Sequence, residues 1–356
     1  MKTPSLPRGF TLIELMISLL LGVIVVGALG VIFISNKNAF RQNDAASAMD
    51  DNARFVLNQL SRDLSMAGYW GGIRSSSTLN EQLRISDTAL SGLTAANDCG
   101  PPSGTWAFLA AGLVNGVEFL NQSSTANASY GCIVDNQRQA NTDVVAIRRV
   151  AAQEAANLPT GTSVTLTSGQ FYLLTNRSTG TLFRQSGNGL TLGSLSDCRD
   201  SNGVSQGCQP IVTPVQAYVY QPRLYYVRNF ANTVGDEIPT VCRKVLSVSG
   251  SSPRFEDECL ANDIENLQLE WGLDTDNDGV VNRFSTSPTT TEMAQAVNAR
   301  VFVLARTRGS NRDGTGIDAK TYTLADVVSN PDTRANTDPY VRRLYSTVVQ
   351  LKNRGL

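Results

Sequence analysis

The feature that most constrains this chain is an N-terminal apolar run that contains one carboxylate. Residues 10–34 read FTLIELMISLLLGVIVVGALGVIFI, and no side chain from Leu15 to Ile34 is charged. Roughly 20 residues at about 1.5 Å rise each cover about 30 Å, enough to cross the hydrocarbon core of a bilayer. Gly22, Gly27 and Gly30 are compatible with a membrane helix. The preceding MKTPSLPRG is basic through Lys2 and Arg8 and broken by Pro4 and Pro7, so its charges would hold this end on the cytoplasmic side. No small-residue cleavage site closes the run, which continues into Ser35-Asn36-Lys37. A plain signal-anchor is the simplest reading, and Glu14 argues against it. A carboxylate in hydrocarbon is costly unless it is paired. The most available positive charge is the ammonium that a cut between Gly9 and Phe10 would create, four residues before Glu14. In staggered helices, one subunit's Glu14 could meet a neighbour's new amine.

Beyond Ile34 the pattern becomes amphipathic. Phe40, Met49, Ala53, Val56, Leu57, Leu60, Leu64 and Ala67 recur at three- and four-residue spacing, whereas Asp50, Asp51, Arg54, Asn58, Arg62 and Asp63 are assigned mostly to other faces. No Pro or Gly interrupts Val31–Ala67, and Gly68, Gly71 and Gly72 then supply a stop. One helix is predicted from about Phe10 to Ala67. The spacing is not a strict heptad, so packing on a globular domain accounts for it better than a coiled coil.

From Tyr69 onward, polar stretches alternate with runs of high β propensity: Val144–Val150, Ser163–Leu174, Gly180–Arg184, Val215–Arg228, Val241–Val248, Ile264–Trp271, Ala299–Thr307 and Tyr340–Leu351. A short helix is expected near Leu79–Ile85. The predicted fold class is α+β: one very long N-terminal helix packed on a mostly antiparallel, two-sheet β domain. The expected organisation is a leader at 1–9, a transmembrane half-helix at 10–34, an amphipathic half at 35–67 and a β-rich extracytoplasmic domain at 68–356.

The chain has no His among 356 residues. That excludes Ser-His-Asp and Cys-His catalytic arrangements and His-ligated metals. No nucleophile elbow, P-loop or dinucleotide fingerprint is present, so no enzyme activity is expected. The six cysteines are Cys99, Cys132, Cys198, Cys208, Cys242 and Cys259, all in the outer part and none in C-x-x-C. Fifteen pairings are open; the simplest joins sequence neighbours, Cys99–Cys132, Cys198–Cys208 and Cys242–Cys259. A zinc site is the disfavoured alternative.

Leu273 is followed by Asp274-Thr275-Asp276-Asn277-Asp278-Gly279. Carboxylates at alternate positions followed by Gly match the first half of a calcium loop, with Val280 offering a carbonyl and Asn282 at the ninth position. Ser285 stands where an EF-hand needs a bidentate Glu, so a full EF-hand is not expected. Two readings stay open: a looser oxygen-ligated Ca²⁺ site, and a tight turn between strands. The C-terminal basic residues, among them Arg300, Arg306, Arg308, Arg312, Arg334, Arg342, Arg343 and Arg354, are interspersed with acids and form no aromatic-basic stripe. Charged strand faces explain them better than DNA binding.

The segment PRG-FTLIELMISLLLG resembles the signal of type IV prepilins and type II secretion pseudopilins. That resemblance implies peptidase cleavage after Gly9, N-methylation of Phe10 and an assembly role for Glu14. The DTDNDG loop after Leu-Glu-Trp-Gly, the NARVFVLART strand and the terminal YVRRLYSTVVQLKNRG segment are similar to PilW-type minor pilins, themselves similar to the J-type pseudopilin. This implies a structural subunit that joins other minor pilins to initiate a type IV pilus, at the pilus tip. The implied partners are the prepilin peptidase, V-, X- and U/H-type minor pilins, the major pilin, a tip adhesin and inner-membrane lipid. The alternatives are a type II secretion pseudopilin and a tip adhesion or DNA-uptake module.

Overall fold

The computed structural model describes residues 9–73, 82–93, 98–100, 116–122, 126–158, 163–187, 189–191, 195, 197–200, 204–208, 214–247, 253–308, 318, 320–329 and 340–353. Residues 1–8 of the leader expected at 1–9, the first part of the expected helix near 79–85, and Arg312, Arg334 and Arg354 lie outside them.

Helix α1 runs without a break from Leu12 to Ser65. Two compact units divide the chain, Met1–Ala48 and Met49–Leu356. In the first, the apolar side chains of the helix are exposed, Leu12 through Ile34 included. The helix is long and apolar enough to cross a membrane. Phe40, expected on the buried stripe, is 73% exposed.

In the second unit, twenty strands are present among the described residues: β1 Leu83–Ser86, β2 Val117–Leu120, β3 Val144–Ile147, β4 Ala156–Leu158, β5 Ser163–Thr165, β6 Phe171–Thr175 and β7 Gly180–Arg184. Then come β8 Gly189–Thr191, β9 Cys198–Arg199, β10 Ser205–Gln206, β11 Val215–Val219, β12 Arg223–Arg228, β13 Thr240–Ser247 and β14 Arg254–Asn262. The last six are β15 Ile264–Leu273, β16 Arg283–Ser285, β17 Ala296–Arg306, β18 Tyr322–Leu324, β19 Val327–Ser329 and β20 Arg342–Gln350. A single turn of helix, α2 Asp87–Leu90, follows β1. Of the expected helix near 79–85, Gln82 is helical and Leu83–Ile85 are extended; a separate helical turn starts at Asp87, capped by the Ser86 hydroxyl.

The strands form a seven-stranded sheet (β10-β9-β1-β7-β6-β11-β4), a five-stranded sheet (β14-β13-β12-β3-β2), a four-stranded sheet (β16-β15-β17-β20) and two ribbons (β18-β19 and β5-β8). Among the described pairings only β1 with β7 is parallel. The architecture is a long helix on an extensive, mostly antiparallel β domain; among the described residues the sheets of more than two strands number three, where two were expected. Pro222 is one reason. Val215–Arg228 reads as one run, but Pro222 has no N–H to give a ladder. The chain breaks there, leaving β11 in the seven-stranded sheet and β12 in the five-stranded one.

The helix buries Met49, Ala53, Val56, Leu60, Leu64 and Ala67 against one apolar core. Facing residues include Val145, Ile147, Tyr225, Val227, Leu267, Leu269, Trp271, Val301 and Val303. The period-two alternation of β15 and β17 puts Leu267 opposite Val303 and Leu269 opposite Val301, on the side that meets the helix. Each fully buried Leu, Val or Met contributes about 1.5–3 kcal/mol by transfer, as an upper bound.

The helix exit is made by two glycines. Gly68 has φ +73° and donates its N–H to Arg148 O at 3.0 Å, while Arg148 N donates to Gly116 O at 2.8 Å. The backbones approach so closely that a Cβ on Gly116 would lie 2.2 Å from Gly68 N. Neither contacting group is a flexible side chain, so the backbone must shift. Gly116→Ala is expected to destabilise the protein by about 1–3 kcal/mol, read as a lowered urea midpoint at unchanged slope.

Candidate functional site

Three places concentrate chemistry: the head of the helix, its buried end, and the acidic loop.

At the head, Thr11 and Glu14 hydrogen-bond reciprocally. Glu14 N donates to Thr11 Oγ1, and Thr11 N donates to Glu14 Oε2, both at 3.3 Å. Thr11 Oγ1 also lies 3.3 Å from Glu14 Oε2. This is a capping box: the carboxylate satisfies one of the N–H groups that a helix start leaves unpaired, and it stands at the positive end of the helix dipole. Ser18 Oγ donates to Glu14 O at 2.7 Å, so the only plainly polar side chain between Leu15 and Ile34 is turned onto the backbone. Gly9 and Phe10 precede the helix and are exposed.

The buried end was missed in the sequence. Asp63, assigned there to a polar face, is fully buried. It is surrounded by Arg149, Arg223, Tyr225 and Arg243, from β12, β13 and the chain just after β3. Arg149 Nη2 and Nε donate to Asp63 Oδ1 at 2.8 and 3.1 Å. Arg223 Nη1 reaches both carboxylate oxygens at 2.6 Å, and the Tyr225 hydroxyl donates to Oδ2. Arg243 Nη1 is 3.7 Å from Oδ2 and 3.2 Å from the Tyr225 oxygen, and its Nε and Nη2 hold Glu258 at 2.9 and 3.0 Å. Burial alone would raise the pKa of Asp63. The hydrogen bond and charge of Arg223, the charge of Arg149 and the Tyr225 hydroxyl outweigh it, and the pKa is lowered. The same carboxylate, after burial, pushes the Tyr225 phenol up. A signal was available: Asp63 lies seven residues after Val56, three after Leu60 and four before Ala67. It therefore occupies the apolar stripe itself.

The acidic loop joins β15 to β16. Asp274, Asp276 and Asp278 each offer a carboxylate oxygen, and these atoms lie within 4.8 Å of one another, so the cluster could chelate a divalent cation such as Ca²⁺. Asp274 is buried and accepts N–H bonds from Asp278 at 3.1 Å and Gly279 at 2.8 Å. Burial acts to raise its pKa, but the Gly279 N–H, Asp276 and the Asp278 N–H outweigh it and leave the value lowered. Asp278 Oδ1 accepts from Val280 N at 2.7 Å. Gly279 takes φ +86° and Asn277 φ +59°, the left-handed conformations that fold the chain back on itself. Asn282, the expected ninth-position ligand, turns inward: its Oδ1 accepts from Thr275 N and Oγ1 at 3.1 and 3.0 Å. Ser285 lies on β16, opposite Trp271. The carboxylates converge, while Asn282 locks the loop.

The six cysteines are joined as Cys99–Cys132, Cys198–Cys208 and Cys242–Cys259. The described C-terminal arginines named here are engaged rather than free. Arg300 pairs with Glu270 at 3.1 Å, Arg308 with Asp263 at 3.1 Å and Arg343 with Asp50 at 2.7 Å, while Arg342 is buried against Glu265. Arg306 lies 4.1 Å from the centroid of the Tyr340 ring.

Among the described residues one apolar helix is long enough to cross a membrane, and with its capped acidic head and a large extramembranous β domain it fits an inner-membrane-anchored, periplasmic or pilus-forming subunit. Comparison with protein families makes this specific. Residues 6–30 match the prokaryotic N-terminal methylation motif, and residues 224–353 match type IV pilus-assembly protein W. Residues 224–353 thus form a PilW-type domain, and a prepilin-type signal stands ahead of it in the chain. No curated protein and no solved structure matches it.

Two predictions follow from these geometries. Asp63→Asn strips the buried guanidiniums of their counter-charge and is expected to cost about 3–5 kcal/mol. The native pKa of Asp63 is depressed, so its contribution is present above the unfolded-state value of about 3.9 and is lost as pH falls through the native value. Acid unfolding of the wild type should therefore be steeper below about pH 4 than that of Asp63→Asn, measured by circular dichroism. For the loop, millimolar Ca²⁺ should raise the melting temperature of the wild type and not of Asp276→Asn. An equal shift in both would leave the loop as a plain turn.

Proposed function

We propose that the chain is a minor pilin, processed by a prepilin peptidase, that joins other minor pilins to initiate a type IV pilus and stays at its tip. The carrying observation is the coincidence of a methylation-motif match over residues 6–30 with a PilW-family match over residues 224–353. The peptidase cuts between Gly9 and Phe10, and the new Phe10 amine is methylated. The helix holds the subunit in the inner membrane until it is extracted. The capping box supports a two-stage role for Glu14. Before assembly Thr11 supplies its partners and lowers the cost of carrying a carboxylate at the membrane. During assembly a neighbour's Phe10 amine, a full positive charge, replaces those neutral donors and fixes register. The partners on this reading are the V-, X- and U/H-type minor pilins, the major pilin and a tip adhesin. The PilW-family match favours it over a type II secretion pseudopilin.

Glu14→Gln keeps an oxygen that can accept from Thr11 N but loses the charge. It should be processed normally and fail to enter pili, with piliation reduced at least tenfold by sheared-pilus immunoblot. Wild-type incorporation of Glu14→Gln would refute the role given to Glu14.

A further inference from the structure

The seven-stranded sheet draws its strands from residues 83–219, wholly upstream of the PilW-family match at 224–353. Whatever it does belongs to this chain rather than to the matched segment. Where α2 meets the β6–β7 hairpin, it carries an open cavity of about 340 Å³ lined by Thr88, Ser91, Ser168, Arg184, Gln185 and Ser186. That volume is at the small end of ligand pockets and suits one sugar ring.

Among the described residues the lining is hydroxyl-rich and contains no carboxylate. Gln185 is 4% exposed, and its Nε2 is committed to the carbonyls of Gly187 at 2.7 Å and Gly189 at 2.9 Å. The amide is thereby held in one orientation, and Oε1 remains its acceptor, with no partner among the described residues. Arg184 is fixed by its Nε, which donates to Gly169 O at 3.2 Å, and by the Phe171 ring, whose centroid lies 5.8 Å from the guanidinium carbon. Its two Nη groups donate to no described residue, which leaves the face of the guanidinium that matches a carboxylate. The hydroxyls of Ser91, Ser168 and Ser186 likewise make no hydrogen bond to a described residue, and each can donate or accept. A fixed cation, a fixed amide acceptor and several hydroxyls around a sugar-sized space complement a ring that carries one carboxylate and several hydroxyls.

We propose that this cavity binds an acidic monosaccharide, with Arg184 on the carboxylate and Gln185 Oε1 and the serine hydroxyls on ring hydroxyls. The proposal is independent of the pilus reading, because binding is measured on the isolated full chain whatever it assembles with.

The test is equilibrium dialysis of the detergent-solubilised full-length protein against radiolabelled D-galacturonate, with D-galactose and acetate as competitors. Saturable binding is expected, with galactose and acetate each competing at least tenfold more weakly than unlabelled galacturonate. Arg184→Gln should weaken binding at least tenfold, and Ser91→Ala/Ser168→Ala severalfold at an unchanged melting temperature. The serine pair decides the matter if Arg184→Gln does not fold. Absence of saturable binding at millimolar galacturonate, acetate competing as well as galacturonate, or unchanged binding by a folded variant would each overturn the proposal.

Discussion

The second unit depends on one buried carboxylate. Asp63 sits at the end of a helix that must leave a bilayer and enter a protein core, and it is bound there by Arg149, Arg223 and the Tyr225 hydroxyl, with Arg243 behind. Three positive charges in the interior would be costly alone, and so would one negative charge. Brought together they hold the helix to the five-stranded sheet at a defined depth and rotation. Apolar packing of Val56, Leu60 and Leu64 supplies most of the burial, but such contacts tolerate sliding. The ion cluster does not, because the donors of Arg149, Arg223 and Tyr225 reach the one carboxylate together in only one register.

The same logic of local satisfaction recurs at the other end of the helix. Glu14 is not a bare charge in an apolar segment; Thr11 and the helix start supply its partners. Those partners are neutral and exchangeable, whereas the Asp63 partners are charged and enclosed. On the proposed assembly role, the contrast suits a subunit whose membrane end changes neighbours and whose domain end does not.

Much of this was legible in the sequence. The apolar run, its carboxylate, the stop at Gly68 and the stripe from Met49 to Ala67 follow from spacing alone. β15 stood out because Leu267, Leu269, Trp271 and Leu273 repeat every second residue, and β17 and β20 because they are rich in residues of high β propensity. What escaped did so for identifiable reasons. Asp63 carries a charge, which points to solvent, although its spacing puts it on the stripe. β14 reads RFEDECLAN and looks like a loop, yet Glu256, Asp257 and Glu258 are paired with Arg254, Lys244 and Arg243. Pro222 parts β11 from β12 and so helps set the sheet count. The convergence of Arg184 and Gln185 on the cavity depends on a hairpin register that no local pattern encodes. In the acidic loop the alternating aspartates were visible, but the inward turn of Asn282 was not.

The central claim is that this chain is matured as a prepilin and anchored by the helix that begins just after Phe10. The most direct measurement is intact and N-terminal peptide mass spectrometry of the protein purified from cell envelopes. The account predicts a polypeptide that begins at N-methylated Phe10, with Gly9 and everything before it removed. A chain that retains Met1, or one cut downstream of the apolar run, would contradict it.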